Sequence, residues 1–232
     1  MKNLAIVIPI RKGSSRIKNK YKAKIADTNI TLYKFEQIDK LCDMLNIPKE
    51  NVMVSTDSDE VAQWAKLLNF SIHKRPEYYA SAHNATFSEL VKLLANEVNE
   101  SMNGIDHILW TYPVTPLFDE HQYYSAILSY KENVMSSNRN DSLVAVNKLY
   151  EYFWFKGDPL NYEANLNHIY SQNLEPLIRV NNACYIAPKL LMMEKEYFIG
   201  DNPHFFDTPK ILSVDIDTID DLDLANNIIK SL

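Results

Sequence analysis

A basic, hydroxyl-bearing loop near the start of the chain has the residue types that bind phosphate. It runs Arg11-Lys-Gly-Ser-Ser-Arg16 and continues to Lys20. Guanidinium groups and backbone N–H groups match the geometry of phosphate oxygens, which indicates a triphosphate site. A solvated basic loop is the alternative. The residues that we assign to phosphate binding are Arg11, Gly13, Ser14, Ser15, Arg16 and Lys20.

Two carboxylates near the other end of the chain, Asp215 and Asp217, have the spacing of a cation site. They follow an apolar run over residues 211–214 that we expect to be a strand. Side chains alternate along a strand, so both carboxylates would lie on the same side. Mg²⁺ takes one or two protein carboxylates together with phosphate oxygens, which makes this pair the predicted metal ligands. Capping of the last helix by Asp217 or Thr218 is an equal alternative, because a D-x-D pattern is common.

Apolar runs alternate with helical periodicities along the chain and predict the elements that position these groups. Leu4–Ile10 is a continuous apolar run, typical of a strand buried on both faces of a parallel sheet. Further strands are expected at residues 51–55, 70–73, 107–110, 142–146, 182–186 and 211–214, with helices between most of them. This alternation predicts an α/β fold with a doubly wound, mostly parallel sheet, in which ligands bind at the carboxyl ends of the strands.

The alternation breaks at about residues 147–180, where we predict a small inserted subdomain within a single domain spanning residues 1–232. The insertion opens with an aromatic cluster from Tyr150 to Phe155 and continues with an Asn-rich stretch. Aromatic side chains can stack on a ligand, but an exposed aromatic patch more often marks a protein interface. We therefore expect a dimerisation segment and a homodimer.

Composition excludes several functional classes. The net charge is −6, which argues against a nucleic-acid partner. The chain has only four glycines, and they form no Gly-rich nucleotide-binding motif. Cys42 and Cys184 form no metal-binding or disulfide pattern. The first apolar run is too short to span a membrane and precedes no cleavage site, so we expect a cytoplasmic protein without a membrane partner.

Six segments together resemble a known family, the CMP-sugar synthetases, which are cytidylyltransferases of sialic acid, 3-deoxy-manno-octulosonate and related acidic sugars. The resemblance covers about residues 4–230 and depends on the order and spacing of the segments. They are Ile8-Pro-Ile-Arg-Lys-Gly-Ser-Ser-Arg-Ile-Lys-Asn-Lys20, Val54-Ser-Thr-Asp-Ser58, Arg75-Pro-Glu77, Tyr112-Pro-Val-Thr-Pro-Leu117, Arg179-Val-Asn-Asn-Ala183 and Val214-Asp-Ile-Asp217.

The resemblance implies a nucleotidyltransferase fold and Mg²⁺-dependent transfer of CMP from CTP to an acidic sugar, with release of pyrophosphate. It implies that Arg11, Ser14, Arg16 and Lys20 hold the CTP phosphates, that Arg75 and Thr86 help recognise cytosine, and that Asp215 and Asp217 bind the metal. Asp57 lies near the nucleotide in this comparison, and a helix N-cap is its alternative role. The predicted acceptor contacts are Tyr112, Arg179 and Asn181, and the predicted catalytic residues are Arg11, Lys20 and Asp217.

Several positions depart from the family pattern and leave the acceptor open. Tyr112 replaces a Gln associated with the acceptor, Tyr21 replaces an Asn, and Asn182 replaces a Gly. The stretch over residues 79–86 lacks the Asp that is usual there. Two alternatives follow: a cytidylyltransferase for a phosphorylated or phosphonate acceptor, and a nucleotide-binding relative without turnover.

Overall fold

The computed structural model describes residues 1–14, 16–81, 84–137 and 139–231. In chain order the strands are β1 (Leu4–Ile10), β2 (Lys24–Ile25), β3 (Thr28–Asn29), β4 (Val52–Thr56), β5 (Ser71–Lys74), β6 (His107–Trp110), β7 (Ser142–Leu149), β8 (Trp154–Phe155), β9 (Asp158–Pro159), β10 (Leu177–Pro188) and β11 (Pro203–Asp207). The helices are α1 (Ile30–Leu45), α2 (Asp59–Leu67), α3 (Glu77–Ala80), α4 (Phe87–Ser101), α5 (Glu120–Tyr130), α6 (Lys189–Lys195) and α7 (Ile219–Ser231). A π-helical turn, Lys131–Ser136, extends α5.

In the described part of the chain, a seven-stranded sheet has the order β11-β7-β10-β6-β1-β4-β5. β1 pairs in parallel with β4 and β6. β4 also pairs in parallel with β5, and β7 pairs in parallel with β11. β10 is antiparallel to both of its neighbours, β6 and β7. The predicted doubly wound, mostly parallel sheet is confirmed.

β1 connects two hydrophobic cores, one on each face of the sheet. Leu4, Ile6 and Ile8 pack into the core that α1 and α5 cover. Ala5 and Val7 point the other way, into the core that α4 and α6 cover. Each fully buried Leu, Ile or Val side chain contributes about 1.5–3 kcal/mol, so this strand is a rigid base for the loop after it.

The expected strand over residues 211–214 is wrong. Lys210–Ser213 forms a 3₁₀ turn, and residues 214–217 belong to no helix or strand. The edge strand is instead β11, which begins at Pro203 and is mostly not buried. Proline is tolerated at the first position of an edge strand, but it weakens the strand signal in the sequence. The placement of Asp215 and Asp217 therefore does not follow from strand alternation.

Residues 147–180, which we call the arm, contain the end of β7, the small β8–β9 hairpin and the start of β10. The pairing of β7 with β10 shifts between Val180 and Tyr185, where the arm joins the sheet. Many large apolar side chains of the arm are exposed: Tyr150, Tyr152, Trp154, Phe155, Leu160, Leu166, Ile169, Tyr170, Ile178 and Val180. Assignment of the arm as a subdomain stays a prediction.

Candidate active site

A cavity of about 520 Å³ opens at the carboxyl end of β1. This is the edge of a parallel sheet at which ligands are expected. The predicted residues that line it are Arg11, Gly13, Ser14, Arg16, Lys20, Arg75, Thr86, Tyr112 and Asp217. Predicted residues from both ends of the sequence thus line the same cavity. Ser15, also predicted to bind phosphate, lies outside the described residues.

The basic loop is held against the neighbouring strand by Asp57. The Lys12 backbone N–H donates to Asp57 Oδ1 at 2.7 Å. Asp57 follows β4, which pairs with β1, so the carboxylate reaches the loop directly. The N-cap of α2 is Ser58, whose Oγ accepts from the Val61 N–H, and the capping alternative for Asp57 is therefore wrong. Asp57 acts on the site by fixing the backbone of the loop.

Two cations converge on one carboxylate at the rim of the cavity. Arg16 Nη1 lies 2.8 Å from Asp217 Oδ2, and Lys20 Nζ lies 3.0 Å from Asp217 Oδ1. Lys20 also donates to the Ile216 carbonyl at 2.7 Å. Both oxygens of Asp217 are thus engaged, yet the group of three keeps one net positive charge. An anionic ligand is attracted to such a site.

Asp215 lies in a different environment, on a second cavity of about 740 Å³. Asn182 Nδ2 donates to Asp215 Oδ2 at 2.7 Å, and the Tyr185 hydroxyl donates to Asn182 Oδ1. Burial raises the pKa of Asp215, and the Asp217 carboxylate contributes to the rise. A bound cation would relieve this penalty, so the two carboxylates suit a hard metal ion in chemistry and charge.

In the described residues, no group of three or more His, Cys, Asp or Glu side chains could hold a metal ion. Two carboxylates still suffice for Mg²⁺, which commonly completes its shell with substrate phosphates and water. The two carboxylates thus have the donor chemistry that Mg²⁺ prefers, and their assignment as metal ligands stays a prediction.

Arg75 places a buried positive charge in the first cavity. Its side chain is 5% exposed, and it donates to the Ser55 hydroxyl and the Ser55 carbonyl. Burial lowers the pKa of Arg75 to about 10, while Asp57 opposes the shift, so the guanidinium stays charged at pH 7. Among the ion pairs of the described residues, none includes Arg75. A buried charge without a close carboxylate favours a polar or anionic ligand.

Thr86 lines the cavity but also caps α4. Its Oγ1 accepts from the Glu89 N–H at 3.2 Å and donates to Glu89 Oε2 at 2.9 Å. Glu89 Oε2 in turn accepts from the Thr86 N–H, which completes a capping box. The hydroxyl of Thr86 is thus engaged in the cap, and its predicted role in cytosine recognition stays a prediction.

The predicted acceptor residues divide between the two cavities. Tyr112 lines the first, and burial raises its pKa, which keeps the phenol neutral. Arg179 and Asn181 line the second. Arg179 donates to Asn147 Oδ1 from two nitrogens, at 3.2 and 2.7 Å, and to Ser213 Oγ at 2.7 Å.

Aromatic residues of the first cavity were missed by sequence reasoning. Tyr79 and Phe87 line it, and Phe87 packs edge-to-face on Trp110 and Phe198. Phe87 is 41% exposed at the first turn of α4. Its position next to a capping Thr was the available signal, because the first turn of a helix at the carboxyl edge of a sheet faces the expected ligand site.

The sheet with a basic loop after its first strand, and the cavity in front of that loop, define a nucleotidyltransferase. The cytidylyltransferase family model matches residues 5–183, so the chain belongs to the cytidylyltransferase family. The match confirms the predicted family resemblance. No curated protein sequence matches the chain significantly.

Solved structures show the same fold at low sequence identity. A CMP:2-keto-3-deoxy-manno-octonic acid synthetase complexed with CTP has a TM-score of 0.67 at 12% identity, over 99% of each chain. A cytidylyltransferase from Leptospira borgpetersenii has a TM-score of 0.61 at 16% identity, over 100% of this chain and 88% of the other. A 4-diphosphocytidyl-2C-methyl-D-erythritol synthase from Anaerococcus prevotii has a TM-score of 0.65 at 9% identity, over 99% of each.

Proposed function

We propose that this enzyme transfers CMP from CTP to an acidic sugar, such as a sialic-acid-like or other 2-keto-3-deoxy sugar acid, and releases pyrophosphate. The observation that carries the proposal is the convergence of Arg16 and Lys20 on Asp217 at the mouth of the first cavity. The arrangement combines phosphate-binding cations with a carboxylate that suits a metal. Nucleotidyl transfer requires both, because charge must be neutralised on the α-phosphate and on the leaving group.

In this proposal the basic loop binds the triphosphate. Arg11, Ser14, Arg16 and Lys20 contact its oxygens, and Arg16 and Lys20 exchange Asp217 for phosphate when CTP enters. Buried Arg75 and exposed Thr86, at the start of α4, are proposed to contact the cytosine. An acceptor hydroxyl gives up its proton to water or to a carboxylate such as Asp217, and its oxygen forms a bond to the α-phosphorus. The bond from that phosphorus to the bridging oxygen breaks, and pyrophosphate leaves.

Asp215 and Asp217 are the residues that we propose to hold Mg²⁺. When bound, Mg²⁺ supplies positive charge that offsets the developing charge on the phosphates. The two carboxylates orient the adjacent chain segment and balance the cations of the basic loop. Loss of either carboxylate would unbalance the charge of the site.

The acceptor is proposed to lie toward the second cavity, where Arg179 and Asn181 contact its acidic group. A guanidinium suits a carboxylate and a phosphate equally. A phosphorylated or phosphonate acceptor is therefore the second candidate, favoured by Tyr112 in place of the family Gln. The methylerythritol cytidylyl synthase among the structural neighbours shows that this fold also occurs in an enzyme named for a product that is not a sugar acid.

The exposed apolar surface of the arm supports a homodimer. Trp154 and Phe155 are 59% and 60% exposed, and Tyr170 is 74% exposed. A segment with many exposed large apolar side chains is uncommon on monomers and typical of interfaces. We propose that the arm packs against a second copy of the chain, in a cytoplasmic enzyme.

The test is pyrophosphate release from each of the four nucleoside triphosphates with Mg²⁺, against 2-keto-3-deoxy sugar acids and phosphorylated or phosphonate acceptors. We expect CTP-selective release that depends on a sugar acid. Faster release with a phosphorylated acceptor would select the second candidate. No release with any acceptor, although CTP binds, would overturn the proposal for this panel. Reactions without acceptor serve as the control.

A further inference from the structure

A lysine that the proposed chemistry does not use is completely buried beneath the site. Lys34, on α1, is 0% exposed. Its Nζ donates to the backbone carbonyls of Thr115 and Phe118, both at 3.0 Å, and to the Tyr123 hydroxyl at 2.9 Å. Burial of an ammonium group costs several kcal/mol unless its donors are satisfied. Here the three donors of the ammonium have three acceptors.

The carbonyls that Lys34 holds belong to the loop that forms one wall of the first cavity. This loop, residues 111–118, presents Tyr112, Pro113 and Val114 to the cavity. Gln37, one helical turn along α1, donates to the Pro116 carbonyl at 2.7 Å. The inner side of the loop is thus held by α1 while its outer side faces the ligand.

The same loop positions the segment that carries the two carboxylates. The Ile216 N–H donates to the Val114 carbonyl at 2.8 Å, and Ile216 is 0% exposed. Ile216 lies between Asp215 and Asp217, in a segment without a strand partner. Its position therefore depends on the loop.

The Tyr123 hydroxyl extends the contacts of Lys34 to β10. Thr111 Oγ1 lies 2.5 Å from that hydroxyl and donates to the Ala183 carbonyl at 2.8 Å. Ala183 follows Asn182, the residue that contacts Asp215. Two routes of hydrogen bonds thus lead from the network around Lys34 to the carboxylates.

We propose that Lys34 is a positioning residue for the transfer reaction: by fixing the loop over residues 111–118, it sets the position of Asp217 and Asp215 relative to the basic loop. The backbone of the basic loop has an anchor of its own, because Asp57 accepts from the Lys12 N–H, although Arg16 and Lys20 also contact the carboxylate segment. Lys34 thus governs turnover more than CTP binding. The expected effect on turnover rests on the proposed function. The hydrogen bonds by which Lys34 holds the loop over residues 111–118 are given by the structure alone.

The test is Lys34→Met, which removes the ammonium but fills nearly the same volume. Replacement of a buried charge by an apolar group is often neutral or stabilising, so we expect a thermal midpoint that is unchanged or higher. We expect kcat to fall by about 10- to 100-fold, with the KM for CTP little changed, because displacement of catalytic groups by about 1 Å has effects of this size. Tyr123→Phe removes only the hydrogen bond between Lys34 and the Tyr123 hydroxyl, so it should lower kcat by a smaller factor. This variant keeps the proposal testable if Lys34→Met fails to fold.

Hydrogen exchange of the full chain without ligands gives a readout independent of activity. The Ile216 amide should exchange faster in Lys34→Met than in wild type, while amides of β4 stay unchanged. Lys40→Met is the matched control, because Lys40 lies on the same helix with its side chain 52% exposed. A kcat equal to that of the control, or unchanged exchange at Ile216, would overturn the proposal. A different outcome is that the wild-type protein is inactive with every substrate while the exchange difference at Ile216 is still present. That outcome would contradict the proposed function but support the role of Lys34 in holding the loop.

Discussion

Asp217 shows how one side chain joins the two halves of the site. It lies near the end of the sequence but contacts Arg16 and Lys20, which follow the first strand. Its side chain is 39% exposed, so these ion pairs contribute only about 0–1 kcal/mol to folding. The value of the contact is positional: it keeps a carboxylate beside the proposed triphosphate site.

We expect Asp217→Asn to lower turnover roughly 100-fold, as loss of one charge-stabilising group does in other active sites, with little effect on stability. Steady-state pyrophosphate release and urea unfolding measure the two effects. Asp220→Asn, an exposed change on α7, is the control and should be neutral. Wild-type turnover of Asp217→Asn would contradict both its metal-binding and its catalytic assignment.

Lys34 also makes stability depend on pH. Burial lowers its pKa from 10.5 to about 7, while Asp119, Cys184 and Glu120 oppose the shift. Between these values the unfolded chain binds more protons than the folded chain, so stability rises with pH. Below pH 7 both states bind the proton, and the dependence disappears.

The free energy of unfolding of wild type relative to Lys34→Met should therefore rise above pH 7, with a slope that approaches about 1.4 kcal/mol per pH unit between pH 8 and 9.5. Urea unfolding of both proteins at several pH values measures it. The difference between them cancels the contributions of histidines and the N-terminus. A flat difference over this window would mean that Lys34 keeps an ordinary pKa.

At the scale of elements, the basic loop and α4 are held by short local contacts at their first residues. Asp57 fixes the loop from the end of β4, and the Thr86–Glu89 capping box starts the helix that carries Phe87 into the cavity. Both contacts lie at the carboxyl edge of the sheet. The cavity wall is thus built from the ends of elements, so we expect small changes there to affect both stability and binding.

Thr86→Ala should destabilise the protein by about 1 kcal/mol, because it removes the side-chain partner of the Glu89 N–H. Thr86→Ser keeps the hydroxyl and should retain most of the stability. Urea unfolding compares the two variants with wild type. Equal stability of all three would show that the capping box contributes little, and CTP affinity measured in parallel tests the proposed contact with cytosine.

At the scale of the whole molecule, the distribution of exposed apolar surface predicts how copies associate. None of the helices in the described part of the chain is long and apolar enough to cross a bilayer. The arm instead offers apolar surface suited to another protein. The arm includes the start of β10, and Arg179 in that part of the strand lines the second cavity. A partner bound to the arm would therefore lie near this cavity.

Light scattering after size exclusion should give wild type a mass of twice 26.9 kDa. Trp154→Glu should shift the protein toward the monomer, because a charge would be buried in the interface. Leu67→Glu is the matched control: Leu67 is 82% exposed on α2, away from the arm. A monomeric wild type, or equal masses for both variants, would contradict the dimer.

Much of the framework was predictable from local sequence. The apolar run of β1, the basic loop after it and the alternation of strands with helices depend on residues close together in the chain, and the structure confirms the predicted sheet. The motif order also indicated which distant residues share a cavity. These properties follow from the periodicity of side chains and from the common edge at which parallel strands end.

Only the tertiary structure decided how the carboxylates are positioned. Asp215 and Asp217 do not follow a strand; they lie beside Ile216, which binds the Val114 carbonyl, and Lys34 holds that loop from beneath. β11 was not predicted because it is short, begins with proline and lies at the edge of the sheet. In sequence, Lys34 is a charged residue within a helix, and its burial results from packing between α1 and a loop 81 residues away. Local patterns encode elements and residue chemistry, whereas burial and contacts between distant loops exist only once the chain is packed.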